Sequence, residues 1–374
     1  MSLPFDTLTI HRLRGLQDVE LTGLGRVNLL VGGNDSGKTS VLEALSLYCN
    51  PLNPVDWVWV ASRRDPLMSA FGPYSELLRW LFPHKGETQE TGEGHLYISA
   101  TGRGDVRRVQ ASYRELRGVR PRTAGLRHSR SPHEVGEREL ELSRERRGAR
   151  IQLQIETSSA DVPPPELTSF TIWDEEQVVS ADGDFSHWVV PVRDVRPVDQ
   201  WLGSVSVEAF SEIRLSGLEE SVGALLREID PRILGLEVLA PRGEAVLYLK
   251  DSVAGLVPLS MYGDGIRRTL LLALALPQVK GGVLLIDELE TAIHVSALGK
   301  VFRWMLAACK QYDVQVFATT HSLEVVDAIL GADDTREEDI VGFRLERTEG
   351  RTSARRFGED LLKRMRYERG LDVR

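Results

Sequence analysis

The chain has 374 residues, of which 42% are hydrophobic, 7% aromatic and 27% charged, and its formal net charge is −9. This composition excludes an intrinsically disordered protein and leaves room for two or three domains with ordinary apolar cores. The acidic balance also argues against a general nucleic-acid-binding surface.

Cysteine content and hydropathy indicate a soluble cytoplasmic protein. Cys49 and Cys309 are too few for a disulfide framework, and both lie in apolar helical patterns. The longest apolar run, Leu270 to Pro277, is too short to cross a bilayer, so we expect no membrane contact.

A strand–loop–helix unit follows two short N-terminal strands, which we predict at residues 7–10 and 18–21. Residues 26–31 are apolar enough for a buried strand, and a helix with apolar residues at helical spacing starts at Ser40. The segment between them has the glycine, lysine and threonine spacing of a phosphate-binding loop.

This loop predicts a nucleoside triphosphate site with bound Mg²⁺. Its backbone N–H groups would receive the β-phosphate, the Lys38 ammonium would reach the β- and γ-phosphates, and the Thr39 hydroxyl would be a magnesium ligand. The residues predicted to bind the nucleotide here are Gly32, Asn34, Asp35, Ser36, Gly37, Lys38, Thr39 and Ser40.

The chain becomes charged after a predicted helix at 74–81 and a strand at 96–98. We predict a first region over 1–101, a basic insertion and connector over 102–200 that includes a strand at 151–155 and a proline run at 163–165, and a third region over 201–374. From Arg103 to Arg150 there are fourteen arginines, no lysine and seven acidic residues, a local balance of +7. This segment either contacts DNA, RNA or an acidic partner, or forms a solvated, salt-bridged insertion, and both interpretations stay open because it lacks interleaved aromatic residues.

The third region starts with two short packed helices, broken at Gly217, and a hairpin over 236–249. Helices and strands then alternate, with a helix at 266–276, a strand at 283–286, a helix at 297–308, a strand at 314–318 and a helix at 323–330. That alternation predicts a parallel sheet covered by helices. Strands at 341–346 and 352–357 and a helix at 361–369 would close the lobe.

Two adjacent carboxylates and a histidine follow the apolar strands of this region. Asp287 ends one strand and is predicted, with Thr39, to ligate the metal, whereas Glu288 is placed to polarise the water that attacks the γ-phosphorus. His321 follows the next strand after a run of small residues, where it can hydrogen-bond the γ-phosphate or that water. We therefore predict Glu288 and His321 as catalytic residues.

A turn rich in serine and glycine precedes the helix at 266–276. Helix N-termini bind phosphate, although serine and glycine are also common helix caps. The turn opens the helix that directly precedes the Asp-Glu strand, and this position makes Ser260, Gly263 and Gly265 candidates for nucleotide contact.

The order of these motifs resembles that of the ATP-binding-cassette (ABC) class of ATPases, in the SMC and RecF branch, where structure is inserted between the phosphate loop and the Asp-Glu strand. Residues 8–16 and the blocks 258–276, 284–298 and 317–323 look more narrowly like the overcoming-lysogenisation-defect (OLD) ATPases in their stand-alone form. The resemblance implies an α/β fold of the P-loop NTPase, ABC-ATPase type. It would have a mixed N-terminal sheet, a mainly parallel core sheet with flanking helices, and a central insertion.

The resemblance also implies a homodimer or higher even oligomer. ATP and Mg²⁺ would join Lys38 of one subunit to the Ser260 turn of the other. In this chain two residues separate Ser260 from Gly263, whereas the family's turn has glycine sooner. Gln177 and Gln200 are candidates for the family's magnesium-ligating glutamine loop.

Many OLD proteins carry a Toprim-type nuclease domain, and the residues after His321 hold no such acidic constellation. Nuclease chemistry would therefore belong to a separately encoded effector. The leading hypothesis is an ATP-hydrolysing switch subunit of a bacterial anti-phage defence or DNA-maintenance system. The alternatives are a RecF-like DNA-repair clamp that binds DNA through the basic insertion, and a regulatory scaffold that barely hydrolyses nucleotide.

Overall fold

The computed structural model describes residues 2–64, 73–83, 93–119, 145–158, 168–174, 180–181, 190–199, 207–241, 243–332 and 339–374. The strands are β1 (Thr7–Leu13), β2 (Leu16–Thr22), β3 (Val27–Val31), β4 (Glu93–Thr101), β5 (Val106–Val119), β6 (Glu145–Thr157), β7 (Thr168–Trp173), β8 (Ser180–Ala181), β9 (Val192–Val195), β10 (Ile233–Leu239), β11 (Val246–Asp251), β12 (Gly255–Pro258), β13 (Val283–Ile286), β14 (Gln315–Thr319), β15 (Ile340–Thr348) and β16 (Arg351–Gly358). The helices are α1 (Lys38–Cys49), α2 (Pro54–Ser62), α3 (Tyr74–Arg79), α4 (Val207–Leu215), α5 (Glu219–Ile229), α6 (Asp264–Gln278), α7 (Val295–Tyr312), α8 (Leu323–Ala332) and α9 (Glu359–Lys363).

The first large sheet has the strand order β2–β1–β4–β5–β6–β7–β8 in the described part of the chain. Every pairing in it is antiparallel, so the prediction of a mixed N-terminal sheet was wrong. The reason is that β4, β5, β6 and β7 follow one another in the sheet as they do in the chain, and each reverses direction. Strands β5 to β8 all fall within the predicted insertion, and the proposed boundaries at 101 and 200 stay predictions.

The second large sheet has the order β16–β15–β3–β14–β13–β9. Strands β15, β3, β14, β13 and β9 are parallel, and β16 pairs antiparallel with β15. The predicted parallel core sheet, and with it the α/β P-loop fold class, is confirmed. Sequence analysis missed β9, although its apolar residues at 192 and 195 were the available signal.

Helix α1 is packed between the two large sheets. Eleven of its twelve residues are buried. Val283 and Leu285 of β13 point into this layer, whereas Leu284 and Ile286 point to the opposite layer, where α6, α7 and α8 cover the parallel sheet. A strand with apolar residues on both faces is the expected signature of a sheet covered on both sides.

The two helices predicted on either side of Gly217 are confirmed as α4 and α5. They pack with the three-stranded sheet β10–β11–β12 and with α6 into a third apolar cluster. The closing helix predicted at 361–369 starts two residues earlier, as α9, and continues as a π-helical turn, Arg364–Glu368. The proline run at 163–165 lies outside the described residues.

None of the helices in the described ranges combines the length and the apolar character needed to cross a bilayer.

Candidate nucleotide-binding site

The phosphate-binding loop connects β3, which is buried throughout, to the first residue of α1. Its backbone has positive φ at Gly32 (143°), Asp35 (58°) and Gly37 (99°). A Cβ atom on Gly32 would lie 2.3 Å from the carbonyl oxygen of Leu345 on β15, so both the dihedral and the close approach require glycine here.

Lys38 lies inside this loop. Its Nζ donates hydrogen bonds to the carbonyl oxygens of Gly32 at 2.9 Å and Gly33 at 2.7 Å. Burial lowers the pKa of Lys38, and the carboxylates of Asp287 and Glu290 oppose that shift. The ammonium is thus held beside the N-terminus of α1, where a phosphate group would meet both.

Asp287 follows β13, and its carboxylate lies beside the first turn of α1. Thr319, the last residue of β14, donates from Oγ1 to Asp287 Oδ1 at 2.7 Å, and Thr39 Oγ1 lies 3.3 Å from the same oxygen. A hydroxyl and a carboxylate are the hard oxygen donors that Mg²⁺ prefers, and Mg²⁺ usually takes few protein ligands beside substrate phosphates. Thr39 and Asp287 therefore fit the predicted metal role.

Glu288 has a left-handed backbone conformation, with φ of 51°. Its N–H donates to Thr319 Oγ1 at 2.8 Å, and its Oε2 accepts a hydrogen bond from Thr291 Oγ1 at 3.0 Å. Beneath the loop, the fully buried Arg268 of α6 donates to the carbonyl oxygens of Asp287 at 3.1 Å and Glu288 at 3.3 Å. Burial lowers the pKa of Arg268 to about 10, and the nearby carboxylates oppose that shift.

His321 is fixed through its backbone. Its N–H donates to Glu290 Oε1 at 2.8 Å, and its carbonyl oxygen accepts a hydrogen bond from Arg374 Nη1 at 2.9 Å. Sequence analysis missed Glu290, Arg268 and Arg374. The position of Glu290, two residues after Glu288, could have indicated its role. Arg268 and Arg374 act from elements that are distant in sequence.

These residues surround one cavity of about 650 Å³. Its walls are formed by Arg14, Gly15, Leu16, Asn34, Asp35, Ser36, Gly37, Lys38, Thr39, Ser40, Arg64, Asp287, Glu288, Thr319, His321, Arg347 and Thr352. The structure thus brings together the predicted loop residues, the two carboxylates and the histidine, and Gly32 joins them through its hydrogen bond with Lys38. Arg14, Arg64 and Arg347 were not predicted.

Two of these arginines share a buried carboxylate. Glu43 of α1 has no exposed side-chain surface and pairs with Arg14 Nε at 2.7 Å and Arg64 Nε at 3.0 Å. Arg64 also donates from Nη2 to Ser40 Oγ at 2.8 Å. Burial lowers the pKa of Arg14, against the attraction of Glu43. One wall of the cavity is therefore cationic, as an anionic ligand requires.

The predicted Ser260 turn lies elsewhere. Ser260, Gly263 and Gly265 do not line the cavity of their own chain. Ser260 is exposed in a 3₁₀ turn, Leu259–Met261, directly before α6, and Met261 beside it is 76% exposed. Gln177 and Gln200, the candidates for a glutamine loop, lie outside the described residues.

Several described arginines of the basic segment lie in ion pairs or over an aromatic ring. On the antiparallel sheet, Arg108 pairs with Glu156 at 3.0 Å and Arg114 pairs with Glu93 at 2.7 Å. Arg146 lies over the ring of Trp173, at 4.9 Å from its centroid. Residues 120–144 of this segment lie outside the described ranges.

Residues 129–327 match the model of the family described as "AAA domain, putative AbiEii toxin, Type IV TA system". The match covers more than half of the chain and includes the Asp-Glu strand and His321. The chain belongs to this AAA domain family. The ATPase class inferred from the motif order therefore has independent support, and the narrower OLD resemblance stays a prediction.

Relatives of this AAA domain protein match shorter stretches. An uncharacterized protein of Methanocaldococcus jannaschii is 35% identical over 121 residues, which is 30% of this chain and 98% of that protein. The DNA replication and repair protein RecF of Xanthomonas oryzae pv. oryzae is 62% identical over 40 residues, 11% of each chain. An ATP/GTP phosphatase of Helicobacter pylori is 28% identical over 127 residues, 33% of this chain and 34% of that protein.

Solved SMC head domains align with this chain over most of their length. The head from Thermotoga maritima covers 94% of this chain and 98% of its own, with 14% identity and a TM-score of 0.42. The Pyrococcus furiosus head bound to the C-terminal domain of ScpA covers 98% and 99%, with 8% identity and a TM-score of 0.46.

Proposed function

We propose that this protein is an ATP-binding and ATP-hydrolysing switch subunit that works with a separately encoded effector in a bacterial anti-phage defence or DNA-maintenance system. The observation that carries the proposal is the single cavity shared by Lys38, Asp287, Glu288 and His321. These residues come from three strand ends that are far apart in the chain.

The chemistry proposed for this cavity is in-line hydrolysis of the γ-phosphate. Lys38 and the N-terminus of α1 hold the β- and γ-phosphates, and Thr39 and Asp287 hold Mg²⁺, which when bound neutralises developing phosphate charge. Glu288 orients the attacking water and accepts its proton. His321 contacts the γ-phosphate or that water.

The switch follows from the position of the Ser260 turn. The exposed Ser260 turn is absent from the cavity of its own chain, so it is available to contact nucleotide held by a second copy. In the proposed assembly, ATP joins the two half-sites of a homodimer or higher even oligomer, and hydrolysis removes this link.

The role in defence is supported by the family description, which names a putative toxin of a type IV toxin–antitoxin system. A protein of that kind needs a device that controls when it acts, and nucleotide-dependent assembly is one. The ATP/GTP phosphatase relative from Helicobacter pylori supports the hydrolytic part of the proposal.

The decisive experiment is the Glu288→Gln substitution. We expect ATP turnover to fall at least about 100-fold, because the general base is lost, while ATP affinity stays within about threefold of wild type. The variant should accumulate as an ATP-bound dimer or larger assembly, measured by sedimentation with and without ATP.

Thr291→Val is the matched control, since it removes the hydrogen bond to Glu288 and keeps the carboxylate. ATP turnover by Glu288→Gln at the wild-type rate would show that Glu288 is not the general base. A sedimentation coefficient that ATP leaves unchanged would contradict the proposed ATP-dependent assembly.

The second candidate is a RecF-like repair clamp, which the local identity to RecF favours. The substitutions Arg108→Gln and Arg150→Gln, at exposed positions on the antiparallel sheet, should then weaken DNA binding and flatten its salt dependence. Wild-type DNA affinity and an unchanged salt slope would count against this clamp.

A further inference from the structure

We propose that Asp194 tunes the metal affinity of the site by holding the Arg63 guanidinium away from Asp287. This inference rests on the proposed function, since it concerns the metal that accompanies ATP. Neither Arg63 nor Asp194 lines the nucleotide cavity.

Arg63 comes directly after α2 and lies between two carboxylates of neighbouring parallel strands. Its Nη1 is 2.9 Å from Asp194 Oδ1, and its Nη2 is 3.7 Å from Asp287 Oδ2. Leu285 of β13 is the register partner of Asp194, so Asp194 and Asp287, which is two residues beyond Leu285, lie near the same edge of the sheet.

The Arg63 guanidinium is therefore closer to Asp194 than to Asp287. The Arg63–Asp194 contact is a hydrogen-bonded ion pair, whereas Arg63 Nη2 is buried and has no hydrogen-bond partner among the described residues. Asp194 is itself fixed by Ser46 of α1, which donates from Oγ to Oδ2 at 2.8 Å. Arg63 therefore points one unsatisfied N–H group toward the proposed metal ligand.

Arg63, Asp194 and Asp287 are poorly solvated, so their charges interact strongly. The side chains of Arg63, Asp194 and Asp287 are 4%, 9% and 13% exposed. Burial works against the charge of Arg63, but Asp194 and Asp287 together raise the pKa of Arg63. A guanidinium stays protonated in proteins, so Arg63, with Nη2 3.7 Å from Asp287 Oδ2, is a cation close enough to compete with a metal ion.

The consequence is that the two residues of the pair have opposite effects on metal binding. Removal of Asp194 frees Arg63 to close on Asp287, which blocks a ligand oxygen and adds positive charge near the metal. Removal of Arg63 deletes the competing cation. A pair that merely stabilised the fold would not produce effects of opposite sign.

The test uses the full chain with a fluorescent ADP analogue and titrates Mg²⁺ into the complex. For Asp194→Asn we expect the half-saturating Mg²⁺ concentration to rise at least about tenfold. The double variant Arg63→Gln with Asp194→Asn should return to within about threefold of wild type. Arg63→Gln alone should require less Mg²⁺ than wild type.

Two controls separate this inference from loss of the fold or of the proposed function. Asp313→Asn disrupts another acid paired with arginine, at the opposite end of β14, and should leave Mg²⁺ saturation unchanged. Nucleotide affinity in EDTA and the metal-free melting temperature report on folding. If Asp194→Asn fails to fold, Arg63→Gln alone still shows whether loss of the Arg63 cation lowers the half-saturating Mg²⁺ concentration.

Equal Mg²⁺ saturation in wild type and Asp194→Asn, or a double variant as weak as the single one, would overturn the inference while ATP binding and hydrolysis stand. A wild-type protein that binds no nucleotide would instead overturn the proposed function, and the inference with it.

Discussion

The two large sheets carry their charged residues in different ways. In the parallel sheet, β3, β13 and β14 all end at one edge, and the residues that follow each strand meet around one cavity. In the antiparallel sheet, neighbouring strands run in opposite directions, and arginines such as Arg108 and Arg114 are distributed along them in pairs with acids. Strand direction, more than composition, therefore decides where chemistry is concentrated.

The comparison also separates buried from exposed ion pairs. Glu43 is fully inaccessible and pairs with Arg14 and Arg64, and Asp194 is nearly inaccessible and pairs with Arg63. The pairs on the antiparallel sheet are largely exposed, with Arg114 at 67% and Glu93 at 44%. Buried partners cost several kcal/mol when one is removed, whereas exposed pairs contribute about 0–1 kcal/mol.

The largest expected effect within this comparison is that of Lys38→Met. Loss of the ammonium removes charge-assisted hydrogen bonds to the phosphates, so ATP affinity should fall by about 100-fold. Isothermal titration measures the affinity, and Arg114→Met on the antiparallel sheet is the control, which should bind ATP as wild type does. Equal losses in both variants would show that the basic sheet contributes to nucleotide binding.

A smaller effect is expected for Gly32→Ala. The added Cβ would meet the Leu345 carbonyl oxygen at 2.3 Å in a backbone with φ of 143°, so the unfolding free energy should fall by about 2 kcal/mol. Gly350 also has a positive φ, 80°, but in the described part of the chain no heavy atom beyond its chain neighbours lies within 4 Å of a Cβ added there, so Gly350→Ala should cost about 1 kcal/mol.

Denaturant titration of these two variants tests the close approach of β15 to the loop. Equal destabilisation would mean that only the dihedral angle matters at Gly32.

The smallest effect is expected for the Arg114–Glu93 pair. Because both side chains are solvated, Arg114→Gln should change the unfolding free energy by less than about 1 kcal/mol and leave ATP turnover unaltered. A double-mutant cycle with Glu93→Gln measures the pair itself. A coupling above about 2 kcal/mol would contradict the contrast drawn between the two sheets.

Local sequence patterns predicted most elements near the site. The glycine spacing from Gly32 to Gly37 predicted a phosphate loop because glycine tolerates the left-handed backbone that such a loop needs. The apolar strand before Asp287 and the small residues before His321 predicted which side chains would follow strand ends. None of this required knowledge of distant contacts.

The sequence by itself thus determined the loop, the order of helices and strands in the last third, and the identity of the acids and the histidine at the strand ends. The tertiary structure alone decided that β9 borders β13, that the N-terminal sheet is antiparallel throughout, and that Arg63, Arg268 and Glu43 support the site from elements remote in the chain. The physical reason is that periodicity and turn chemistry act over a few residues. Buried charges, in contrast, find their partners only when strand pairing brings distant segments together.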